Sequence, residues 1–331
     1  MRVSVVIPTF RRPTELTRCL DALKRQESLP DEVLVAIRDD DSPSQCALAK
    51  YESEALPLRV VSAGAAGASE ARNRCIDQSS GDVLVMTDDD TMPRPDWVAR
   101  IRDRFAADPA LGGLGGPDWI GGCEVPPEER ASVVGTVQWW GRRVGNHHRG
   151  AHQPLLVEWL KGANMSFRRE ALHGTRFGRH LRGTAAQFGE DFAVSLHVKR
   201  SRWKLIYDPA VCVDHCPGEL MAGTDHRGLR DTASLVDACH NETVVLLDYL
   251  PPLRRLAFLA WSAVVGTRLL PGALMAFYLL LTRGQLSAFK RCQVVLRGRR
   301  AGWRTWQAAR QRPVPDRVVS IADQHHTTSA A

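Results

Sequence analysis

Aromatic residues are scarce, at 7% of 331 residues, but 44% of the chain is hydrophobic and 24% charged, so wholesale disorder is excluded. The N-terminus, MRVSVVIPTF, lacks the longer apolar stretch and small-residue cleavage site of a secretory signal, which predicts a cytoplasmic protein. The eight cysteines are scattered along a chain too large to need staples, so reduced thiols are expected. No G-x-G-x-x-G fingerprint follows the first apolar run. PTFRRP stands there instead, and Gly64 and Gly67 lack the pattern, which argues against a nicotinamide-dependent dehydrogenase. The glycine-rich basic loop that a sugar-phosphate nucleotidyltransferase wants near its N-terminus is missing too. The most apolar stretch, Leu256 to Leu281, is interrupted by Arg268, Pro271 and Gly272. One clean membrane span would need about 20 apolar residues and would bear a cost of roughly 2.5–3.5 kcal/mol for a central arginine.

Charge is unevenly placed. From Pro251 onward there are 13 basic and 2 acidic residues, leaving 31 and 35 in residues 1–250. A mildly acidic body with a strongly basic end predicts that this end meets something anionic, a membrane face or nucleic acid. The adjoining apolar stretch favours the membrane. Two helices, Leu256 to Thr267 and Gly272 to Leu281, broken at Pro271, fit an in-plane or re-entrant hairpin, and a hairpin buried against the rest of the protein is the alternative.

The length predicts about two domains, or one enlarged α/β domain with an appendage. Residues 3–7, VSVVI, read as a strand buried on both faces. A helix capped by Thr14 and carrying Leu16, Cys19, Leu20 and Leu23 follows, then a strand from Val33 to Ile37. The pattern repeats with a strand at Arg59 to Val61, a helix at Ser69 to Ser80 and a strand at Val83 to Met86. Such alternation predicts a doubly wound, mostly parallel α/β sheet, whose ligands gather at the carboxyl ends of its strands. Loops and short strands are expected in the glycine-rich middle, then a helix at Phe192 to Arg200 and strands at Lys204 to Tyr207 and Val211 to Val213.

Asp88, Asp89 and Asp90 directly follow an apolar strand, where like charges repel unless something positive lies among them. A divalent cation bridging carboxylates to substrate phosphates is one answer, and a solvated acidic turn is the other. Glu190 and Asp191 stand between a glycine and a helix, where a carboxylate can serve as general base or simply cap the helix. His215 ends the last strand-like run as a ligand or a loop residue. Cys212, His215, Cys216 and Cys239 lack the second spaced pair of a structural zinc site.

An ordered set of strings carries a family resemblance: VVIPTFRRP at 5–13, RDDDS at 38–42, GASEARN at 67–73, GDVLVMTDDDTMPRPDW at 81–97, KGANMSFRREAL at 161–172, GEDFAVSL at 189–196 and WKLIYDPAVCVDH at 203–215. Together they resemble glycosyltransferase family 2 over about residues 1–217. The resemblance implies a GT-A fold at 1–220; the residues beyond it, 221–331, are expected from their own pattern to form a helical region that contains the apolar hairpin 256–281 and a basic tail 283–317. The resemblance implies metal-dependent, inverting transfer from a nucleotide-diphospho-sugar to a saccharide or lipid-linked acceptor, and the apolar, basic C-terminal stretch predicts that this takes place on the cytoplasmic face of a membrane. Carried over by position, Pro8, Thr9 and Arg11 match the first nucleotide-contacting loop, and Asp39 the base-reading carboxylate. Arg72 and Asn73 match a helix start near the nucleotide, Asp88 and Asp89 the residues near ribose and diphosphate. Asp90 and His215 match ligands for Mn²⁺ or Mg²⁺. Asp191 matches the general base, with Glu190 as its neighbour.

The chain departs from the family pattern in places. RDDDS replaces a commoner DDGS-type turn, leaving open which of Asp39, Asp40 and Asp41 reads the base. GRHL replaces an aspartate-containing string after Gly178, and His197 and Arg202 replace an arginine and a glycine. Trp119, Trp139, Trp140 and Trp159 either stack on an acceptor or pack in the core. A catalytically silent scaffold is the competing reading. Loss of base or metal residues would favour it, and none is lost.

Overall fold

A computed structural model describes residues 1–51, 56–65, 67–183, 187–216 and 231–311. Its first half alternates β1 (Val3–Thr9), α1 (Pro13–Lys24), β2 (Glu32–Arg38), α2 (Ser42–Lys50), β3 (Leu58–Gly64), α3 (Ala68–Gln78), β4 (Val83–Thr87), β5 (Thr91–Pro93) and α4 (Trp97–Ala107). Next come β6 (Leu111–Gly115), β7 (Asp118–Ile120), β8 (Thr136–Val137), β9 (Arg143–Val144), β10 (Leu155–Leu156) and β11 (Asn164–Arg168), then α5 (Glu190–Arg200), β12 (Lys204–Tyr207) and β13 (Val213–His215). Four helices follow: α6 (Thr232–Tyr249), α7 (Pro252–Val264), α8 (Ala273–Arg283) and α9 (Ser287–Gln311).

The main sheet has eight strands in the order β10-β12-β6-β11-β4-β1-β2-β3. Six run one way, while β10 and β11 oppose their neighbours. The β-branched run of β1 lies in the interior of the sheet between β4 and β2, with Val3, Val5, Val6 and Ile7 fully buried. The sequence reading of α1 needs one adjustment. Pro13 is the first helical residue and Arg12 the N-cap, because proline's fixed φ suits that position and its missing N–H is not needed there. Helices α2 and α4 lie where the sequence pattern predicts no element, and the glycine-rich middle contributes β6 and β11 to the sheet.

A second sheet, β5-β13-β7, sets the site. Strand β5 begins at the residue after Asp90. Its Thr91 pairs with His215 on β13, and Val213 pairs with Asp118 on β7. Residues 125 positions apart in sequence, Asp90 and His215, are thereby brought side by side.

The C-terminal helices share a core with the sheet domain: Val245, Leu246, Leu250 and Phe258 pack with Val137, Trp159, Phe192 and Leu196. Helix α9 lies close along α6 because Gly298 and Gly302 face it, and a Cβ at Gly302 would fall 2.5 Å from the His240 carbonyl oxygen. Helices α7 and α8 form a hairpin closed by a bridge between Gly266 and Pro271. Phe258, Ala276 and Leu279 face inward, while Leu253, Leu256, Leu274, Phe277 and Leu281 are exposed. No described helix is long and apolar enough to cross a membrane. The expected domain boundary near 220 and residues 312–317 of the expected basic tail lie outside the described residues.

Candidate active site

Asp88, Asp89 and Asp90 emerge from β4 beside the carboxyl end of β1. Asp89 is buried and accepts from Thr9 Oγ1 at 2.8 Å. Arg12, at the start of α1, bridges Asp89 at 2.9 Å and Asp90 at 3.0 Å. Burial pushes the Asp89 carboxyl up to about 6, against the pull of Arg12 and Thr9. Burial also acts to raise Asp90, but His215 and Arg12 outweigh it and hold that carboxyl below its ordinary value.

His215 lies between two carboxylates, with Nε2 3.3 Å from Asp90 and Nδ1 3.2 Å from Asp118. Burial acts to lower its pKa, yet Asp118 and Asp90 together lift it to about 9. Asp118 is also paired with Lys161. Arg12 and His215 thus supply positive charge among the buried carboxylates, without which the acidic cluster would repel itself.

Across the cleft, Arg72 on α3 joins the acidic triplet to the Glu190–Asp191 turn. It donates to Asp88 Oδ1 at 2.8 Å and to Glu190, whose other oxygen accepts from Ser69. Burial raises the Glu190 carboxyl, only partly offset by Arg72 and Ser69. Asp191 is held more lightly: Oδ2 accepts from the Gly162 amide at 3.2 Å and Oδ1 from the Phe192 amide at 2.7 Å.

The other candidates divide by environment. Of the RDDDS aspartates, Asp41 is fully buried, caps α2 through Ser44 and accepts from the Arg11 amide at 2.6 Å. Asp40 pairs with Arg38 and Arg11. Asp39 is exposed and accepts from Ser62 Oγ at 2.6 Å. Arg11 adopts a φ of +56°, which turns the chain from β1 into α1. Pro8 lies at the end of β1, opposite Ala36. Asn73 is buried and bonded in both directions to the Phe177 backbone, at 2.9 and 3.0 Å. Trp119 and Trp159 are core residues, whereas Trp139 and Trp140 are exposed. Among the described residues no group of three or more His, Cys, Asp and Glu side chains is arranged to hold a metal, so the cysteine–histidine zinc set is not assembled. Sequence reading missed Arg12, Ser69, Asp118 and Lys161. Lys161 opens a quoted string, but Asp118 carries no local signal.

Residues 4–174 match the family described as Glycosyl transferase family 2. The chain is 30% identical over 210 residues to the succinoglycan biosynthesis protein ExoM of Rhizobium meliloti (strain 1021), a match covering 60% of this chain and 62% of that one. It therefore spans about three fifths of that relative's length. Among solved structures it is similar to the mannosyltransferase PcManGT from Pyrobaculum calidifontis in complex with GDP-Man and Mn²⁺, with a TM-score of 0.53 and 18% identity over 93% of this chain and 86% of that one. It is also similar to S. aureus TarS 1-349 in complex with UDP-GlcNAc, with a TM-score of 0.57 and 13% identity over 94% and 92% of the two chains. These likenesses establish the GT-A fold.

Proposed function

The chain belongs to glycosyl transferase family 2, and we propose that it transfers a sugar, with inversion, from a nucleotide-diphospho-sugar to a hydroxyl of a saccharide or lipid-linked acceptor in polysaccharide or glycoconjugate biosynthesis. The carrying observation is the meeting, at one end of the sheet, of the acidic triplet, Arg72 and the Glu190–Asp191 turn. The name of the succinoglycan relative and the nucleotide sugars bound in the two structural neighbours support this reading.

In this reading Thr9, Arg11 and Pro8 line the nucleotide side, with Asp39 at its exposed edge for the base. Asp88 and Asp89 face ribose and diphosphate, Arg72 sets the position of Asp88, and Asn73 shapes the wall by holding Phe177. The donor set fits a divalent cation: Asp90 Oδ1 is buried without a hydrogen-bond donor, next to an imidazole nitrogen, a pairing suited to Mn²⁺. Asp90 and His215 would hold Mn²⁺ or Mg²⁺, the ion taking the place of the proton that the imidazole otherwise carries between Asp90 and Asp118, with substrate phosphates completing the shell, and the ion would supply positive charge to the departing diphosphate. Asp191 takes the proton of the acceptor hydroxyl, which then attacks the anomeric carbon from the face opposite the nucleotide. Glu190 is the poorer base because it is committed to an ion pair with the Arg72 guanidinium and a hydrogen bond from Ser69, whereas Asp191 accepts only from two backbone amides. Its role is to fix the turn.

The C-terminal helices rest on the cytoplasmic face of an anionic membrane in this reading. The exposed apolar residues of α7 and α8 adjoin exposed Arg283, Lys290, Arg297 and Arg300. The exposed Trp139 and Trp140 stand in the loop beside the start of α7, where Arg254 donates to the Trp139 carbonyl at 3.0 Å. Nucleic acid would use the arginines but not the apolar residues.

A thermal-shift screen of GDP-, UDP- and dTDP-sugars with and without Mn²⁺ tests the function. The reading expects one base to stabilise in a metal-dependent way. Stabilisation by none would overturn it.

A further inference from the structure

Helix α5 begins at the Glu190–Asp191 turn without a side-chain N-cap, after Gly189 in the left-handed region at a φ of +81°. The Glu190 and Asp191 side chains are held by Arg72, Ser69 and the Gly162 and Phe192 amides, but the uncapped backbone leading into the helix needs a hold of its own. It comes from α6. Asn241, fully buried, donates through Nδ2 to the Arg182 carbonyl at 2.9 Å and the Phe188 carbonyl at 3.0 Å. Only an NH₂ group can serve two carbonyls, which turns Oδ1 toward the Arg182 amide at 2.7 Å. His240 Nδ1 lies 2.8 Å from the same oxygen and therefore donates to it. Its Nε2 is left as the acceptor for Thr305 Oγ1 of α9 at 2.9 Å.

The next residue grips the other side of the turn. Glu242 pairs with Arg299 of α9 and, at 2.9 Å, with Arg143 of β9. The Arg143 guanidinium lies 4.8 Å over the ring of Phe192, the residue after Asp191. Two consecutive residues of α6 thus clasp the turn, from Phe188 before it and Phe192 after it, and α9 braces both.

We infer that Asn241 is a positioning residue for the Asp191 turn, and that the C-terminal helices are thereby part of the transfer apparatus as well as a surface for attachment. The inference rests on the reading of Asp191 as general base. A base displaced by about 1 Å can lose on the order of 10²-fold in rate. The hydrogen bonds of Asn241 add the restraint from α6 that opposes this.

The full chain carrying Asn241→Asp, which keeps the shape but cannot donate to two carbonyls, is compared with Thr305→Val, which removes only the brace on His240. Hydrogen exchange is followed in the peptide spanning 187–193, alongside kcat and donor KM. Asn241→Asp is expected to speed exchange there, leave β1 and β4 protected, and lower kcat by about 10–100-fold with donor KM little changed. Thr305→Val should give a smaller change of the same sign, and it decides the matter if Asn241→Asp does not fold. Unchanged exchange at 187–193 in the folded variants, or faster exchange with full kcat, would overturn the inference. Asp191→Asn in the same assays separates the two claims. If it keeps its turnover the base assignment fails, while the exchange data still judge the hold on the turn.

Discussion

Arg72 and Glu190 form a buried ion pair, and this pairing distinguishes Glu190 from Asp191, which accepts from backbone amides. Glu190→Gln leaves a buried guanidinium with Asp88 as its remaining countercharge, so stability should fall toward the lower end of the about 3–5 kcal/mol that breaking a buried pair costs. Turnover should fall less than in Asp191→Asn. Denaturant unfolding and sugar transfer, measured on one preparation, check both halves.

Asp90 shares Arg12 with Asp89 and touches His215. Asp90→Ala should fold but lose the Mn²⁺-dependent rise in melting temperature given by a nucleoside diphosphate. If the metal-dependent shift persists in the folded variant, the ligand assignment is wrong.

His147 is buried, donates through Nε2 to the Trp159 carbonyl at 3.1 Å, and has its pKa pushed by burial down to about 4 from an ordinary 6.5. Between those values the unfolded chain binds the proton and the folded one does not. Stability should therefore be full above pH 6.5 and decline as the pH falls to 4, by about 3 kcal/mol in all. The gap in unfolding free energy between the native protein and His147→Gln should narrow across that window. A constant gap would remove His147 from the account.

Membrane attachment is best probed with point substitutions, because α9 packs along α6 and a cut before Pro251 would strip it away. Leu256→Asp with Phe277→Asp should abolish pelleting with anionic liposomes at low salt while leaving the melting temperature nearly unchanged. Failure of the native protein to pellet would dispose of the membrane reading.

The first β-α-β units were legible because β-branched runs bounded by proline and helical stripes of leucine are strong local signals. Strand β6, LGGLG, was not, since glycines weaken strand propensity; here they are needed, as a Cβ at Gly113 would press on Phe167 at 3.0 Å. Helix α4 does carry a stripe in Trp97, Ile101 and Phe105, but the proline-rich lead into it reads as loop. In the site, the acidic triplet stands out by its place after a strand. The partnership of Asp90 with His215, and the roles of Asp118 and Asn241, depend on pairings far apart in sequence that no local pattern encodes.

The central claim is that Asp191 takes the acceptor's proton. Turnover of Asp191→Asn with a known acceptor, measured beside its melting temperature and its affinity for donor and Mn²⁺, tests it most directly. The account predicts a normally folded, donor-binding protein that has lost at least about two orders of magnitude in transfer. A variant that is destabilised by about 1 kcal/mol, as loss of a helix-terminal carboxylate would cause, yet still turns over at close to the native rate would contradict it.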